Sequence, residues 1–393
     1  MELVEREKCY SCGACIEICP KNAITTEWKD GFRYPSVNQS LCVNCGLCKR
    51  ACPAEYKERK SQILQLYAFK HREQTVIEKS SSGGAFTALS NQILSEGGLV
   101  IGAVMDEDKV VRHHIAENAT ERDAMRGAKY VKSDISDVYS EVEERLRKTP
   151  RPVLFTGTPC QAEAFRTYCL AAGIELTNIY ICALVCHGAA SPQIWDAYLN
   201  SLLSKSQGKK IEFNFRDKSH GWRKNQMTAR IDDREYSMQS YSTLFYSKLC
   251  NSSACFTCPF ASVERNCDIT LGDFWSIQRF SKGYAEGIGV SKLLAHTPKG
   301  DWLINKCVAY GELMNVEYNP NKDSLQPALT KPYGKPVEYE LFWKDFKKMR
   351  FSELEKKYTG KSFTDRVCRT LRRKLLVIFA RKEDFANKRG GKK

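Results

Sequence analysis

No stretch of this 393-residue chain approaches the ~20 consecutive apolar residues that a membrane-spanning helix needs, and an integral membrane protein is not expected. The longest apolar run near the C-terminus, "LLVIFA" from Leu375 to Ala380, is far too short to span. The opening "MELVEREK" is charged and lacks the apolar segment of a secretory signal, so a cytoplasmic protein is expected. The body also lacks the basic-aromatic pattern of a nucleic-acid module, and nucleic acid is not expected as a partner. Net charge is +15 but unevenly spread: residues 361–393 hold twelve Lys/Arg against three Asp/Glu. The basic signal belongs to that tail. A solvated tail is the plainer expectation; the functional alternative is peripheral contact with an anionic membrane face or an acidic partner.

What the chain has in quantity is cysteine, eighteen of them. In a reducing compartment these argue for metal or redox work rather than disulfides. "CYSCGACIEICP" (Cys9 to Pro20) and "CVNCGLCKRACP" (Cys42 to Pro53) share the pattern C-x-x-C-G-x-C-x-x-x-C-P, and the second copy starts 33 residues after the first. A zinc site needs four ligands about one ion, usually from two separated C-x-x-C pairs. Three cysteines at strict three-residue spacing instead wrap one corner of a cubane, and the fourth, before proline, serves the other cluster. Cys9, Cys12, Cys15 and Cys52 are therefore assigned to one [4Fe–4S] cluster, and Cys42, Cys45, Cys48 and Cys19 to a second. Gly13 and Gly46 allow the tight loop and aim N–H groups at cluster sulfide. Pro20 and Pro53 end each loop. Between the runs, "AITTEWKDGFRYPSVN" alternates around Asp30-Gly31, a hairpin signal. Two such clusters move single electrons.

Beyond "KERK" (Lys57 to Lys60) strands alternate with helices. "ILQLYAF", "GLVIGAVM", "RPVLFTGTP", "NIYICALVC" and "DITLGDFW" read as core strands, and "IEFNFRD" and "QMTARID" as strands of a smaller sheet. "SGGAFTALSNQIL" and "DVYSEVEERLRK" read as helices, as does "SPQIWDAYLNSLLSK" with Ser191 as N-cap and Pro192 in its first turn. The expected fold class is α/β with α+β elements: a ferredoxin-like two-cluster domain at 1–60, then a mixed α/β body at 61–150 and 151–320, and a basic helical or partly disordered tail at 321–393. "SSSGGAFTAL" (Ser80 to Leu89) places hydroxyls and glycines at a helix start, where free N–H groups face an anion such as a dinucleotide pyrophosphate; Gly-Gly there also reads as a plain turn. Cys160, Cys186, Cys255 and Cys258 could converge on a third cluster, with Cys250 and Cys267 as nearby competitors. Cys169, Cys182, Cys307 and Cys368 read as small buried hydrophobes.

In order along the chain, "KSSSGGAFTAL", "RGAKYVKSD", "LFTGTPCQ", "CHG" with "SPQIWDAYL", "FRDKSHGW", "CFTCPF" and "DITLGDFW" resemble the beta-subunit family of coenzyme F420 hydrogenase/dehydrogenase, over residues 9 to 300. The resemblance implies an FAD, a [4Fe–4S] cluster beside it and a two-cluster ferredoxin module. It implies that Ser82, Gly83, Gly84 and Thr87 cradle FAD phosphates, that Lys129, Tyr130 and Ser133 line the flavin, and that Gly272 and Asp273 close the site. It implies Cys160, Cys186, Cys255 and Cys258 as ligands of the third cluster, 61–150 as the FAD-binding region, and His187 as a candidate proton donor. The expected activity is that of a flavin-dependent oxidoreductase. It exchanges electrons with ferredoxin or a redox partner subunit and acts on a coenzyme F420-like or other organic substrate. The alternative is a non-catalytic electron-transfer subunit.

Overall fold

The computed structural model describes residues 3–55, 61–204, 210–224, 226–232, 234–284, 289–322, 326–360, 365, 368–372 and 374. "LLVIFA" and most of the basic tail beyond 360, with the membrane or acidic-partner contact expected of it, lie outside the described residues. Among the described residues no helix is long and apolar enough to cross a membrane.

Thirteen strands are described: β1 (Ile24–Lys29), β2 (Phe32–Val37), β3 (Gln65–His71), β4 (Leu99–Met105), β5 (Val111–Ala116), β6 (Val153–Gly157), β7 (Ile179–Leu184), β8 (Ile211–Asp217), β9 (Gln226–Ile231), β10 (Arg234–Ser237), β11 (Ile269–Asp273), β12 (Ser291–Ala295) and β13 (Gly311–Val316). The expected α/β architecture is present. An eight-stranded sheet runs β13-β3-β12-β11-β7-β6-β4-β5, drawing strands from both 61–150 and 151–320. Its centre, β4, β6, β7 and β11, is parallel, and antiparallel strands flank it on both sides. The parallel strands are near-continuous apolar runs because helices cover both faces: every residue of β6 is buried. Strands β8, β9 and β10 form the smaller antiparallel sheet, and its outer strand is polar and fully exposed.

Loops leaving the carboxyl ends of parallel strands converge on one edge of such a sheet, where ligands bind. Here β6 runs into Thr158 and the helix Pro159–Ala171, whose second residue is Cys160. Strand β7 runs into Cys186 and His187, and β11 ends on Gly272 and Asp273. Ser191 caps the helix Pro192–Leu203 as expected, its Oγ accepting the Ile194 N–H at 3.3 Å.

The N-terminal segment is fastened to this edge. Its hairpin β1–β2 turns at Asp30 and Gly31, both left-handed (φ 46° and 75°), the type I′ pair that an Asp-Gly sequence favours. Gly31 also has no room for a side chain: a Cβ would stand 2.1 Å from Ser191 Oγ. Ser191 Oγ donates to the Gly31 carbonyl at 2.8 Å, Tyr139 Oη to that of Cys12 at 3.0 Å, and Thr167 Oγ1 to that of Ala51 at 2.8 Å. Cys12, Ala14 and Ala51 share a core with Tyr139, Phe155, Phe165 and Tyr168. In that core Phe155 stacks on Phe165 at 4.4 Å and on His113 at 5.5 Å.

Cys368 is exposed, not buried: the described part of its segment covers it with nothing. Lys129 and Lys132 lie in no strand and are partly covered.

Phe155→Ala removes a fully buried ring from both stacks and is expected to cost about 3–5 kcal/mol, read as a lower denaturation midpoint in urea. His113 is buried, its Nε2 bonded to the Thr156 carbonyl at 3.0 Å while Nδ1 has no partner, and burial pulls its pKa from 6.5 to about 4. The unfolded chain therefore binds a proton at this residue that the folded chain refuses, so stability falls as pH drops from 6.5 towards 4. The melting temperature of His113→Gln should fall less steeply over that window than that of the parent.

Candidate functional site

The 33-residue repeat of sequence returns as a repeat of backbone conformation. Ser11 and Gly13 flank Cys12 with φ of 49° and 77°; Asn44 and Gly46 flank Cys45 with 55° and 78°. Each glycine caps a one-turn helix, Ala14–Glu17 and Leu47–Arg50. Left-handed residues placed this way turn successive N–H groups towards one concavity, a cradle for anionic sulfide. Cys9, Cys12, Cys15 and Cys52 line one cavity, and Cys19, Cys42, Cys45 and Cys48 line a second. The fourth cysteine of each run thus faces the other run's cavity, and Cys48 borders both.

A third cavity, partly open to solvent, is lined by Cys160, Cys186, Cys255 and Cys258. The two competitors are elsewhere. Cys250 is packed in the core around Trp195 and Tyr241, and Cys267 lies against Thr270. Cys169, Cys182 and Cys307 are buried, and none of the eighteen cysteines, all among the described residues, is in a disulfide. Among the described residues no three His, Cys, Asp or Glu side chains group closely enough to hold a single metal ion. A cubane spreads its four thiolates more widely than one ion does.

These cavities are neighbours. Tyr10, Phe32 and Lys132 line both the Cys9 cavity and the Cys160 cavity. Tyr10 packs edge-on against Phe260 at 5.2 Å, and burial first, then the thiols of Cys258, Cys160 and Cys52, raises its pKa. Lys132 Nζ stands 3.8 Å from Cys160 Sγ. Burial opposes its charge, but the thiols of Cys160, Cys12, Cys255 and Cys186 outweigh that and raise its pKa. Burial pushes the Cys9 thiol up to about 11, and the Cys12 and Cys258 thiols to about 12. Arg265, buried beside Cys267, Cys186 and Cys258, donates to the Leu184 carbonyl at 3.1 Å and leaves Nη2 without a partner.

Around the residues expected to hold a flavin, cations gather. Arg216 pairs with Asp273 at 2.9 Å, and Trp222 Nε1 donates to Asp273 at 2.9 Å. Arg216 lies over Trp275, itself stacked on Trp222 at 4.6 Å. Tyr130 stacks on Phe245 at 4.5 Å. Lys218 donates to the Ser82 carbonyl at 3.2 Å, and burial lowers its pKa to about 8. Lys129 donates to the carbonyls of Ala124 and Arg126, and burial lowers it to about 7. Lys248 donates to the His187 carbonyl at 2.6 Å. His187 Nδ1 is 2.7 Å from the Tyr333 hydroxyl; burial first, then Lys248, lowers its pKa to about 4, so the ring is neutral at pH 7.

Several expected flavin residues have protein partners. Ser82 Oγ donates to the Val290 carbonyl at 2.7 Å, and Gly83 N–H to Ser291 Oγ at 3.0 Å. A Cβ on Gly83 would meet the Phe69 carbonyl at 2.3 Å, so strand packing demands that glycine. Gly84, with φ of 84°, caps the helix Ala85–Ser95, whose first N–H, that of Ala85, donates to Ser291 Oγ at 3.4 Å. Thr87 Oγ1 accepts from Arg126 at 3.1 Å, Ser133 Oγ accepts from Gln161 at 2.9 Å, and Gly272 lies against Val185. Sequence reasoning missed the parts of Tyr10, Lys132, Arg216, Lys218, Trp222 and Arg265. "FRDKSHGW" contains three of them, but nothing in its spacing says what they face.

Cysteine arrays of this kind on an α/β body define an iron–sulfur electron-transfer protein. Residues 8–56 match the 4Fe-4S dicluster domain, and residues 151–321 match the C terminus of the coenzyme F420 hydrogenase/dehydrogenase beta subunit. The chain therefore joins a ferredoxin-type domain with two [4Fe–4S] clusters to the C-terminal domain of that oxidoreductase beta-subunit family. No curated protein sequence matches it significantly. Among solved structures, a chain from the xenon-derivatized F420-reducing [NiFe] hydrogenase complex of Methanosarcina barkeri is similar at 18% identity and a TM-score of 0.45, covering 66% of this chain and 85% of that one.

A third [4Fe–4S] cluster on the Cys160, Cys186, Cys255 and Cys258 set would be lost in Cys258→Ser, lowering iron by about four atoms per chain with the dicluster domain still loaded. Cys250→Ala, outside the cavity, should leave iron unchanged. Colorimetric iron analysis of anaerobically purified protein reads both.

Proposed function

We propose that this protein is an FAD-containing iron–sulfur oxidoreductase. It exchanges single electrons with ferredoxin or a redox partner subunit and acts in two-electron steps on a coenzyme F420-like or other organic substrate. The observation that carries the reading is the sharing of walls between three cysteine-lined cavities, that of Cys160, Cys186, Cys255 and Cys258 lying beside buried cations. When bound, [4Fe–4S] clusters supply one-electron transfer, and a flavin supplies the exchange between single electrons and electron pairs.

The chain's own residues would do the rest. Cys160, Cys186, Cys255 and Cys258 would hold the third cluster, and Tyr10 and Phe32 would keep water out between it and the Cys9 set. The surroundings of Ser82 suit an anion: Lys218 sits on its carbonyl, and the positive end of the helix Ala85–Ser95 begins just after Gly84. In this reading 61–150 supplies the phosphate-binding loop and 151–320 supplies Arg216, Asp273 and the third cysteine set. Tyr130 and the Arg216–Asp273 pair would border the ring system. Neutral His187, held by Tyr333, would offer or hold a proton at a ring nitrogen.

Anaerobically purified protein should release FAD on acid treatment, near one per chain. Iron without flavin would contradict the reading, and turnover seen only with an added partner would reduce the chain to a relay subunit. Lys218→Met removes one charge-assisted contact of about 1.5–3 kcal/mol, and the FAD dissociation constant should rise ten- to hundredfold in a fluorescence titration.

A further inference from the structure

Lys132 occupies a position that neither the ferredoxin pattern nor the third cysteine set accounts for. Its backbone N–H donates to the Ala190 carbonyl at 2.8 Å, and the neighbouring Ser133 is buried under Gln161, so the main chain is pinned on both sides. The side chain then enters the wall between two cavities. Among the described residues it is the only Lys or Arg that lines both the cavity of Cys9, Cys12, Cys15 and Cys52 and that of Cys160, Cys186, Cys255 and Cys258. Nζ lies 3.8 Å from Cys160 Sγ, and on the other side the same side chain lines the cavity that Cys12 lines. Other buried cations serve one side only: Arg265 feels Cys186 and Cys258, and Lys248 is tied to the His187 carbonyl.

The reduction potential of a thiolate-ligated cluster rises with nearby positive charge and with hydrogen bonds to its sulfurs, because each added electron meets a less negative surrounding. One ammonium donating towards a ligand sulfur and shared between two sites applies both levers at once. A second, neutral filler such as methionine would occupy the wall equally well but apply neither.

We propose that Lys132 is the shared charge that sets the potentials of the Cys9 and Cys160 centres together, holding both above the value they would have without it. The inference rests on the reading that Cys160, Cys186, Cys255 and Cys258 hold a third cluster. The cavity of Cys19, Cys42, Cys45 and Cys48 does not include Lys132 and serves as an internal reference.

The test is an EPR-monitored redox titration of anaerobically purified, full-length protein, after an iron count. Parent, Lys132→Met and Lys132→Arg are compared. Lys132→Met is expected to lower the potentials of the Cys9 and Cys160 centres by at least about 59 mV, a tenfold change in a one-electron equilibrium. The reference centre should stay in place, and Lys132→Arg, which keeps the charge, should stay close to the parent. Unchanged potentials at full iron content, or an equal shift of all three centres, would overturn the proposal. If Lys132→Met sheds the third centre, the Cys9 centre still decides: a fall supports the shared charge, and no fall refutes it. A parent chain holding only about eight irons would remove the third centre itself and the proposal with it, an outcome the iron count separates from a failure of the tuning alone.

Discussion

Charge balance around buried thiolate sulfur is the constraint on which the rest of the site depends. A thiol pushed to about 12 by burial, as Cys12 and Cys258 are, will not ionise unaided at neutral pH. It becomes a ligand only where positive charge is supplied, by metal first and by the protein second. The second contribution is visible in the fold. Left-handed residues beside Cys12 and Cys45 turn backbone N–H groups inward, Lys132 reaches Cys160, and Arg265 is buried beside Cys186 and Cys258. Such groups are costly to bury without an anionic partner.

Positioning follows from the sheet. The central parallel strands deliver Cys160, Cys186 and Asp273 to one edge because all of them run the same way. The ferredoxin-type segment is held against that edge by side-chain to main-chain hydrogen bonds from Tyr139, Thr167 and Ser191, and by a core common to both parts. Tyr10 and Phe32 come from that segment yet wall the cavity of the α/β body. Electron exchange is sensitive to separation, so this shared, close-packed wall matters more than either part alone.

The eight N-terminal cysteines were legible because their arrangement is local: spacing alone fixes which loop wraps which corner. The parallel strands were legible from uninterrupted apolar runs, and the hairpin from Asp30-Gly31. Of the four later cysteines only Cys255 and Cys258 carry a local C-x-x-C spacing, and the set meets only when β6, β7 and the turn at Ser253–Thr257 converge. Lys132 was less legible still. Lysine in "AKYVKS" looks like surface chemistry until the Ala190 contact turns its side chain into a wall between two cavities. Strands β12 and β13 give no motif, and the sheet order that seats β3 between them joins residues more than 200 positions apart. Cys368 shows the opposite failure, an apolar thiol that none of the described residues covers.

The proposed function requires the Cys9 centre to neighbour both other centres, as its cavity shares Cys48 with one and Tyr10, Phe32 and Lys132 with the other. The most direct measurement is the EPR spectrum of the fully reduced protein beside that of a Cys255→Ser variant. A parent spectrum broadened by spin–spin interaction between neighbouring centres is expected, with a simpler interaction pattern once the third centre is removed. Additive signals from isolated centres in the parent, or a spectrum that Cys255→Ser leaves unchanged, would contradict it.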